Sequence, residues 1–437
     1  RMIEGILIGL NTALSLKNIL MVMIGCFAGT IIGMLPGLGP MTAIALMIPI
    51  TYGFEPSTGL ILMAGVYYGA VFGGSTSSIL INAPGVPGTV ATSFDGYPMA
   101  QQGKAGKALA IAAYSSFAGG TIAAIFLLFA APSLSKVSLA FRSPDYFGLM
   151  ILGLTAVSAF SAKGHFLKAM MMVVLGLMLA SVGQDTLSDI PRFVFNNMNL
   201  ADGISFVLVV MATFAMSEAL SIIFKGSDPT QAAKQISLSK LGSIRLDKEE
   251  TKKMVTTIPR SSIIGFIIGV LPGAGSTIAS FLAYGMERNF VKDEEKQKFG
   301  KGSVNGLSAP ETANNAACSG SFVPLLTLGI PGSGTTAVML GALLGFGIQP
   351  GPRLYQTNPE IFWSVIMSMY IGMVILLILN LPLIPYIARI LAVPRAFLIP
   401  LILFFSVTGI YLMSFNNFDI YLMIGIAVVA TILRLYE

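Results

Sequence analysis

Seven stretches of this chain contain no Asp, Glu, Lys or Arg: Asn18–Phe54, Pro56–Phe94, Ala108–Ser135, Ser261–Met286, Thr312–Pro352, Ile361–Ala388 and Ala396–Phe418. Each equals or exceeds the roughly 20 apolar residues that carry an α-helix across a bilayer. Shorter clean runs, Tyr146–Ala162, Ala169–Gln184, Gly203–Ser217 and Ile420–Leu433, add further spans. The 26 basic and 20 acidic side chains are 11% of the 437 residues, under half the roughly 25% of a soluble domain. A reading as two or three soluble domains therefore fails. The chain reads as an all-α polytopic membrane protein with about 10–12 membrane elements, some folding back within the bilayer. Its first residues, Arg1-Met2-Ile3-Glu4, lack the grammar of a cleavable signal.

Composition removes several function classes. The net charge of +6 is scattered rather than gathered with aromatics, which argues against a nucleic-acid surface. Cys26 and Cys318 are the only cysteines, both in apolar runs, and they form neither a metal-ligand spacing nor a disulfide framework. With His165 as the only histidine, there is no Ser–His–Asp set and no HExxH helix. Gly269–Thr277 (GVLPGAGST) is a faint likeness of a phosphate-binding loop without its lysine, inside an apolar span. Neither an enzyme nor a bound cofactor is expected.

The longest polar stretch, Lys225–Arg260, holds eight basic and four acidic residues and reads as a cytoplasmic loop by the positive-inside rule. It divides the chain into a first membrane half, 1–224, the basic loop, 225–260, and a second membrane half, 261–437. A second charged stretch, Glu287–Lys301, reads as a solvated loop or interfacial helix. The halves resemble each other. Gly29–Leu46 (GTIIGMLPGLGPMTAIAL) and Gly265–Leu282 (GFIIGVLPGAGSTIASFL) agree at 10 of 18 positions at a constant offset of 236. Pro84-Gly85 is echoed by Pro331-Gly332, and Ser143-Pro144-Asp145-x-Phe147 by Asn358-Pro359-Glu360-x-Phe362. The chain reads as a duplicated unit, with the inverted arrangement favoured. Repeats interrupted by Gly and Pro at matching places are the best sequence pointer to a secondary transporter.

Four segments are rich in Gly, Pro, Ser, Thr and Asn: Leu35–Pro40, Gly73–Gly88, Leu271–Thr277 and Ala309–Thr336. Each is expected to interrupt a helix, since proline removes a backbone donor and glycine invites positive φ. Freed amides at a half-helix start suit a carboxylate, and freed carbonyls suit Na⁺. The carboxylate site is expected at Ser75, Thr76, Ser77, Asn82, Pro84, Gly85, Asn314, Asn315, Pro331, Gly332, Ser333, Thr335 and Thr336. The coupling cation is expected at Gly37, Gly39, Gly273, Gly275, Ser276 and Thr277. The segments hold no Lys or Arg, so an anion there relies on dipoles, neutral donors and a co-bound cation. Small residues also serve close helix packing in membranes; four such segments spread over a duplication favour a site. Glu311 is the one acid among them, a functional position by default or a cap for a helix starting at Thr312. Asp95 and Glu218 read as span-end residues. A channel and a purely structural membrane subunit remain the rival readings.

LPGLGP at 35–40, the Ser/Thr/Gly-rich run at 68–85, LPGAGSTIASFLAYGME at 271–287, FGKG at 299–302, APETANNAA at 309–317, FVPLLTLGIPGSGTTAVMLGALL at 322–344 and QPGP at 349–352 carry a resemblance. Together they are similar to the large membrane subunit of the tripartite tricarboxylate transporter family, over nearly the whole chain. The chain departs from that pattern where Ala70-Val71-Phe72 separates Gly69 from Gly73-Gly74, and at Asn305, where an acidic residue is expected. The resemblance implies a further hydrophobic span beyond Glu437. It also implies a multi-pass permease of the bacterial inner membrane, driven by a Na⁺ or H⁺ gradient. A small membrane subunit and a periplasmic solute-binding protein that delivers a carboxylate such as citrate are its implied partners.

Overall fold

The computed structural model describes residues 2–35, 38–140, 142–159, 165–185, 188, 190–225, 241–389 and 398–436. Gly37, residues 226–240 of the basic loop and the Glu218 side chain lie outside them. Among the described residues, seven helices are long and apolar enough to cross a membrane, and five shorter apolar helices accompany them. Strand is confined there to one two-residue antiparallel pair, Gly183–Gln184 with Pro191–Arg192. The protein is an all-α polytopic membrane protein.

The first half runs α1 (Met2–Ala13), α2 (Leu16–Met34), α3 (Gly39–Thr51) and α4 (Pro56–Ile81). A 3₁₀ turn, Pro87–Thr89, leads into α5 (Val90–Met99), followed by α6 (Ala105–Ser138), α7 (Ser143–Ala159) and α8 (Phe166–Ala180). Helix α9 (Phe206–Val210) continues through a π-helical stretch, Met211–Met216, into α10 (Ser217–Lys225). The second half runs α11 (Lys248–Val270), α12 (Gly275–Phe290), α13 (Val304–Leu328), α14 (Gly334–Gly345), α15 (Pro359–Asn380), α16 (Leu398–Ser414) and α17 (Asn417–Leu435).

Much of the glycine serves backbone contact between helices. On α2, Gly25, Gly29 and Gly33 recur every four residues and lie against α4, where Gly65, Gly69 and Gly73 recur at the same spacing. A Cβ at Gly29 would stand 2.3 Å from the Val66 carbonyl oxygen, and one at Gly73 would stand 2.0 Å from that of Thr30. Helix α11 repeats the device, with Gly265 and Gly269 against Ala313 and Ala317 of α13. Small residues at this spacing let membrane helices meet backbone to backbone, where dispersion and weak hydrogen bonds replace the hydrophobic effect.

Two of the pairs are hairpins. Helices α2, which ends at Met34, and α3, which starts at Gly39, diverge from a shared end, and their open end is tied by Lys17–Glu55 at 3.6 Å and by the Thr58 hydroxyl donating to Asn18 Oδ1 at 2.7 Å. Helices α11 and α12 diverge from a tip at Leu271–Gly275. Their open end is closed by Arg260, which donates to Glu287 at 2.6 and 3.1 Å, and by Thr257 donating to the same carboxylate at 2.9 Å. The start of α13 lies at this second open end, where Asn305 Nδ2 donates to Thr257 Oγ1 at 2.9 Å. The first open end lies instead with the end of α14, since Gly345 abuts the Tyr52 hydroxyl at the foot of α3. The two hairpins thus open toward opposite ends of the molecule.

One expectation is corrected and two are narrowed. The segment 248–260 is helix rather than loop: Asp247 and Glu250 form a reciprocal capping box that starts α11 at Lys248. Gly73–Ile81 continues α4 unbroken, because Ser75 bonds back to the Val71 carbonyl at 3.1 Å and Ser77 and Ser78 bond back to that of Gly74 at 3.1 and 2.8 Å. Ala309–Leu328 likewise belongs to α13, which carries Pro310 and Pro324 inside it and is held by packing on α6 and α11. Both segments do interrupt a helix as expected, but late in their length, at Asn82 (φ 51°) and Gly329 (φ 70°), each a left-handed residue that ends its helix. Asn82→Gly is expected to leave thermal stability within about 0.5 kcal/mol, and Asn82→Val to lower it by about 1–2 kcal/mol, because a β-branched residue is strained in that conformation. Thermal unfolding of the solubilised protein reads the difference.

Candidate functional site

Four helices begin in the middle of the molecule. Helix α3 starts at Gly39 (φ 67°) after the extended Leu35 that ends α2, and α12 starts at Gly275 (φ 65°) after the extended Leu271 that ends α11. After the left-handed turn at Asn82 the chain doubles back through Pro84–Val86 into the 3₁₀ turn and α5. After Gly329 it doubles back through Ile330–Gly332 into α14, whose N-cap Ser333 makes a reciprocal box with Thr336.

These starts meet one another. The Gly273 amide donates to the Gly332 carbonyl at 3.1 Å. A Cβ at Gly275 would lie 3.6 Å from Ser333 Cβ, and one at Gly88 would lie 2.8 Å from Ser276 Oγ. One at Gly334 would lie 2.8 Å from Met41 Sδ, near the start of α3. Gly85 lies against the Gly33 carbonyl of α2. Asn314 Nδ2 donates to the Gly88 carbonyl at 3.2 Å, and the hydroxyls of Tyr67 and Ser333 stand 3.2 Å apart. The N-terminal amides of α3, α5, α12 and α14 therefore share one interior region. Each helix start carries roughly half a positive charge on its unbonded amides. Among the described residues at these contacts there is no Lys or Arg.

The sequence-selected residues are not all brought together. Gly85, Asn314, Gly332, Ser333 and Thr336 stand at the meeting point, and Gly39, Gly273, Gly275 and Ser276 form its hairpin tips. Pro84, Pro331, Thr335 and Thr277 flank these on the same turns. Ser75, Thr76 and Asn315 are buried deeper, on α4 and α13. Ser77 is occupied by its own helix backbone. Asn82 is exposed at the end of α4, not inside an apolar span, because its left-handed backbone turns it out of the helix.

Sequence reasoning singled out Glu311 but not the polar cluster around it. Glu311 starts no helix: Ser303, which caps the Gly306 amide at 3.0 Å, sets the start of α13 two turns earlier. The Glu311 carboxylate is wholly buried and accepts from Ser75 at 2.6 Å, Ser116 at 2.8 Å and Thr92. Asn315 Nδ2 donates to the Glu311 carbonyl at 3.2 Å and to Asn314 Oδ1 at 2.7 Å. Asp95 is not a span-end residue either. It is buried, and its Oδ1 accepts the amides of Gly300, Gly302 and Ser303 at 2.9, 2.9 and 2.7 Å. The available signal was an acid inside otherwise acid-free helices, which marks function or a cross-chain tie.

The family model of the tripartite tricarboxylate transporter TctA family matches residues 19–437. An Agrobacterium vitis protein named "Uncharacterized 52.8 kDa protein in TAR-I ttuC' 3'region" is 43% identical over 423 residues, covering 97% of this chain and 83% of that protein. A second Agrobacterium vitis protein, "Uncharacterized protein in TAR-II ttuC' 3'region", is 45% identical over 160 residues, covering 37% of this chain and 65% of that protein. No solved structure matches. The chain belongs to the tripartite tricarboxylate transporter TctA family, and is a multi-pass membrane protein of a transport system built with partner subunits.

Proposed function

We propose that this chain is the permease subunit of a secondary transporter that moves a di- or tricarboxylate such as citrate. The observation that carries the reading is the convergence of four helix N-termini, without a Lys or Arg, on the turns at Gly85–Gly88, Gly273–Ser276 and Gly332–Thr336. Such a region attracts an anion through backbone amides and releases it more readily than a salt bridge would. A Na⁺ or H⁺ gradient supplies the driving force. A periplasmic solute-binding protein delivers the substrate, a small membrane subunit completes the complex, and the assembly sits in the bacterial inner membrane. The two halves act as inverted repeats about the site, a reading supported by the opposite openings of the α2–α3 and α11–α12 hairpins. The basic loop then faces the cytoplasm.

Uptake of labelled citrate and related carboxylates into proteoliposomes holding this chain, its small subunit and the binding protein tests the reading. Uptake is expected to saturate, to need no nucleotide and to stop when the cation gradient is dissipated. Dependence on ATP, or flux that never saturates and ignores the gradient, would overturn it. Sidedness is read separately, with Ser243→Cys in a chain lacking Cys26 and Cys318. Impermeant thiol reagent is expected to reach that position only from the cytoplasmic face, and labelling from outside intact cells would reverse the assignment.

A further inference from the structure

Glu311 belongs to the second half of the chain, and the three hydroxyls that hold its carboxylate belong to three different helices of the first: Ser75 on α4, Thr92 on α5 and Ser116 on α6. Among the described residues no Lys, Arg or His bonds to it. An ionised carboxylate buried without a countercharge is expensive, and neutral donors offset only part of the loss of water.

The Ser75 hydroxyl has one proton and two acceptors in reach, Glu311 Oε2 at 2.6 Å and the Val71 carbonyl at 3.1 Å. With Glu311 ionised, Ser75 donates to the carboxylate. With a proton on Oε2, the Glu311 O–H donates to Ser75 Oγ, and Ser75 turns its own proton to the Val71 carbonyl. Both states complete every bond of the pair without moving a heavy atom. A cavity of about 10 Å³ adjoins this point, lined by Ser75, Thr76 and Ser116 and by Asn380. The Asn380 Oδ1 is buried without a protein partner. A space of this size with polar walls suits one water molecule, and with it a path for a proton between Asn380 and the carboxylate.

We propose that Glu311 takes up and releases a coupling proton during transport. This rests on the secondary-transporter reading, which left Na⁺ and H⁺ open. The distances favour the proton. The serine hydroxyls stand 2.6 and 2.8 Å from Oε2, hydrogen-bond spacings. A hard cation of calcium or sodium size keeps each ligand oxygen about 2.3–2.6 Å from itself, which holds those oxygens farther apart than this.

The other titratable groups on the elements packed around α13 are engaged elsewhere. On α4, Tyr67 meets Ser333 and Tyr68 meets Ser319; on α5, Asp95 holds the 300–303 turn; on α6, Lys107 pairs with Glu250. Arg260 of α11 pairs with Glu287 of α12, Tyr284 of α12 donates to Asp95, and Tyr355 packs edge-on against Phe362 and tilted against Trp363. Tyr97 of α5 is half-buried with no hydrogen bond to Glu311, Tyr114 of α6 is exposed, and Cys318 is two turns along α13 itself.

The test uses the complete complex in proteoliposomes, with labelled citrate as the probe. In the parent, citrate counterflow at equal pH is expected to vary with pH, and a pH gradient without Na⁺ is expected to drive uptake. Glu311→Gln is expected to lower that driven uptake at least about tenfold and to flatten the pH dependence of counterflow, while Ser133→Ala, exposed on α6, behaves as the parent. A Gln variant driven by a pH gradient like the parent would overturn the proposal, as would a parent driven by Na⁺ alone. A parent without counterflow would instead sink the transporter reading. Infrared difference spectra of the purified protein in nanodiscs keep the proposal testable if the Gln variant does not transport. Acidification of the parent is expected to raise a carboxylic-acid C=O band that Glu311→Gln lacks and Ser75→Ala shifts. A band unchanged in both variants would place the titrating carboxyl elsewhere.

Discussion

Asp95→Ala is expected to cost about 4–5 kcal/mol of stability, at the upper end of what single substitutions do. The carboxylate fills four donors at once: three amides of the turn at Gly300–Ser303 on Oδ1, and the Tyr284 hydroxyl on Oδ2 at 3.0 Å. A buried donor left unmade costs about 1–3 kcal/mol, and water entering the truncated site recovers only part of that. Gly300 (φ 78°) and Gly302 (φ 105°) adopt backbone that other residues avoid, so the turn has no alternative set of bonds ready. Asp95→Asn keeps the three amide contacts on its carbonyl oxygen and is expected to lose about half as much. Tyr284→Phe, which removes one donor, is expected to cost about 1 kcal/mol. Thermal unfolding of the detergent-solubilised protein ranks the three. If Asp95→Ala proves no worse than Tyr284→Phe, the turn does not depend on the carboxylate.

Gly85→Ala is expected to lower citrate counterflow about a hundredfold, equivalent to about 2.8 kcal/mol. An added Cβ would stand 1.7 Å from the Gly33 carbonyl oxygen and 3.1 Å from Gly74 Cα, both backbone atoms that no rotamer change can move aside. The turn after α4 must then withdraw from α2, carrying the Gly88 carbonyl away from Asn314. Gly39→Ala separates this from ordinary glycine strain. Its φ of 67° is unfavourable, yet a Cβ there meets nothing within 4 Å, so only about 1 kcal/mol of backbone strain is expected. Counterflow in Gly85→Ala proteoliposomes close to the Gly39→Ala value would show that the approach to Gly33 is dispensable.

The hairpin tips were legible in the sequence because Leu-Pro-Gly-x-Gly dictates its own backbone: both α3 and α12 begin on the second glycine of that motif. The charge-free runs likewise located most helices. The Gly- and Pro-rich segments 73–88 and 309–336 do hold a break each, at Asn82 and Gly329, but their Ser, Thr and Asn clusters lie within helix. In α4 and α13 those side chains bond back to their own helix or across to a neighbour, and the helix survives until a left-handed residue ends it. The partners of Glu311 and Asp95 were out of reach for a different reason. Ser75 precedes Glu311 by 236 residues, and Asp95 precedes Gly300 by 205. Contacts at such separations are set by how the two halves pack, which no local pattern reports.

Helix α13 has a consequence for how the protein is made. It is buried from Asn305 to Thr327 and lies in the middle of the fold, yet it is not one of the helices apolar enough to span a membrane. Its asparagines, its serines and Glu311 give it little tendency to leave the translocation channel for lipid unaided. During synthesis α4, α5, α6 and α11 have already emerged when α13 appears, and they carry Ser75, Thr92, Ser116 and the glycine face that receive it. The first half is therefore a template for the second, and the order of synthesis is also the order of insertion: a chain begun from its second half would offer the bilayer a central helix with only the glycine face of α11 waiting and no hydroxyls for Glu311.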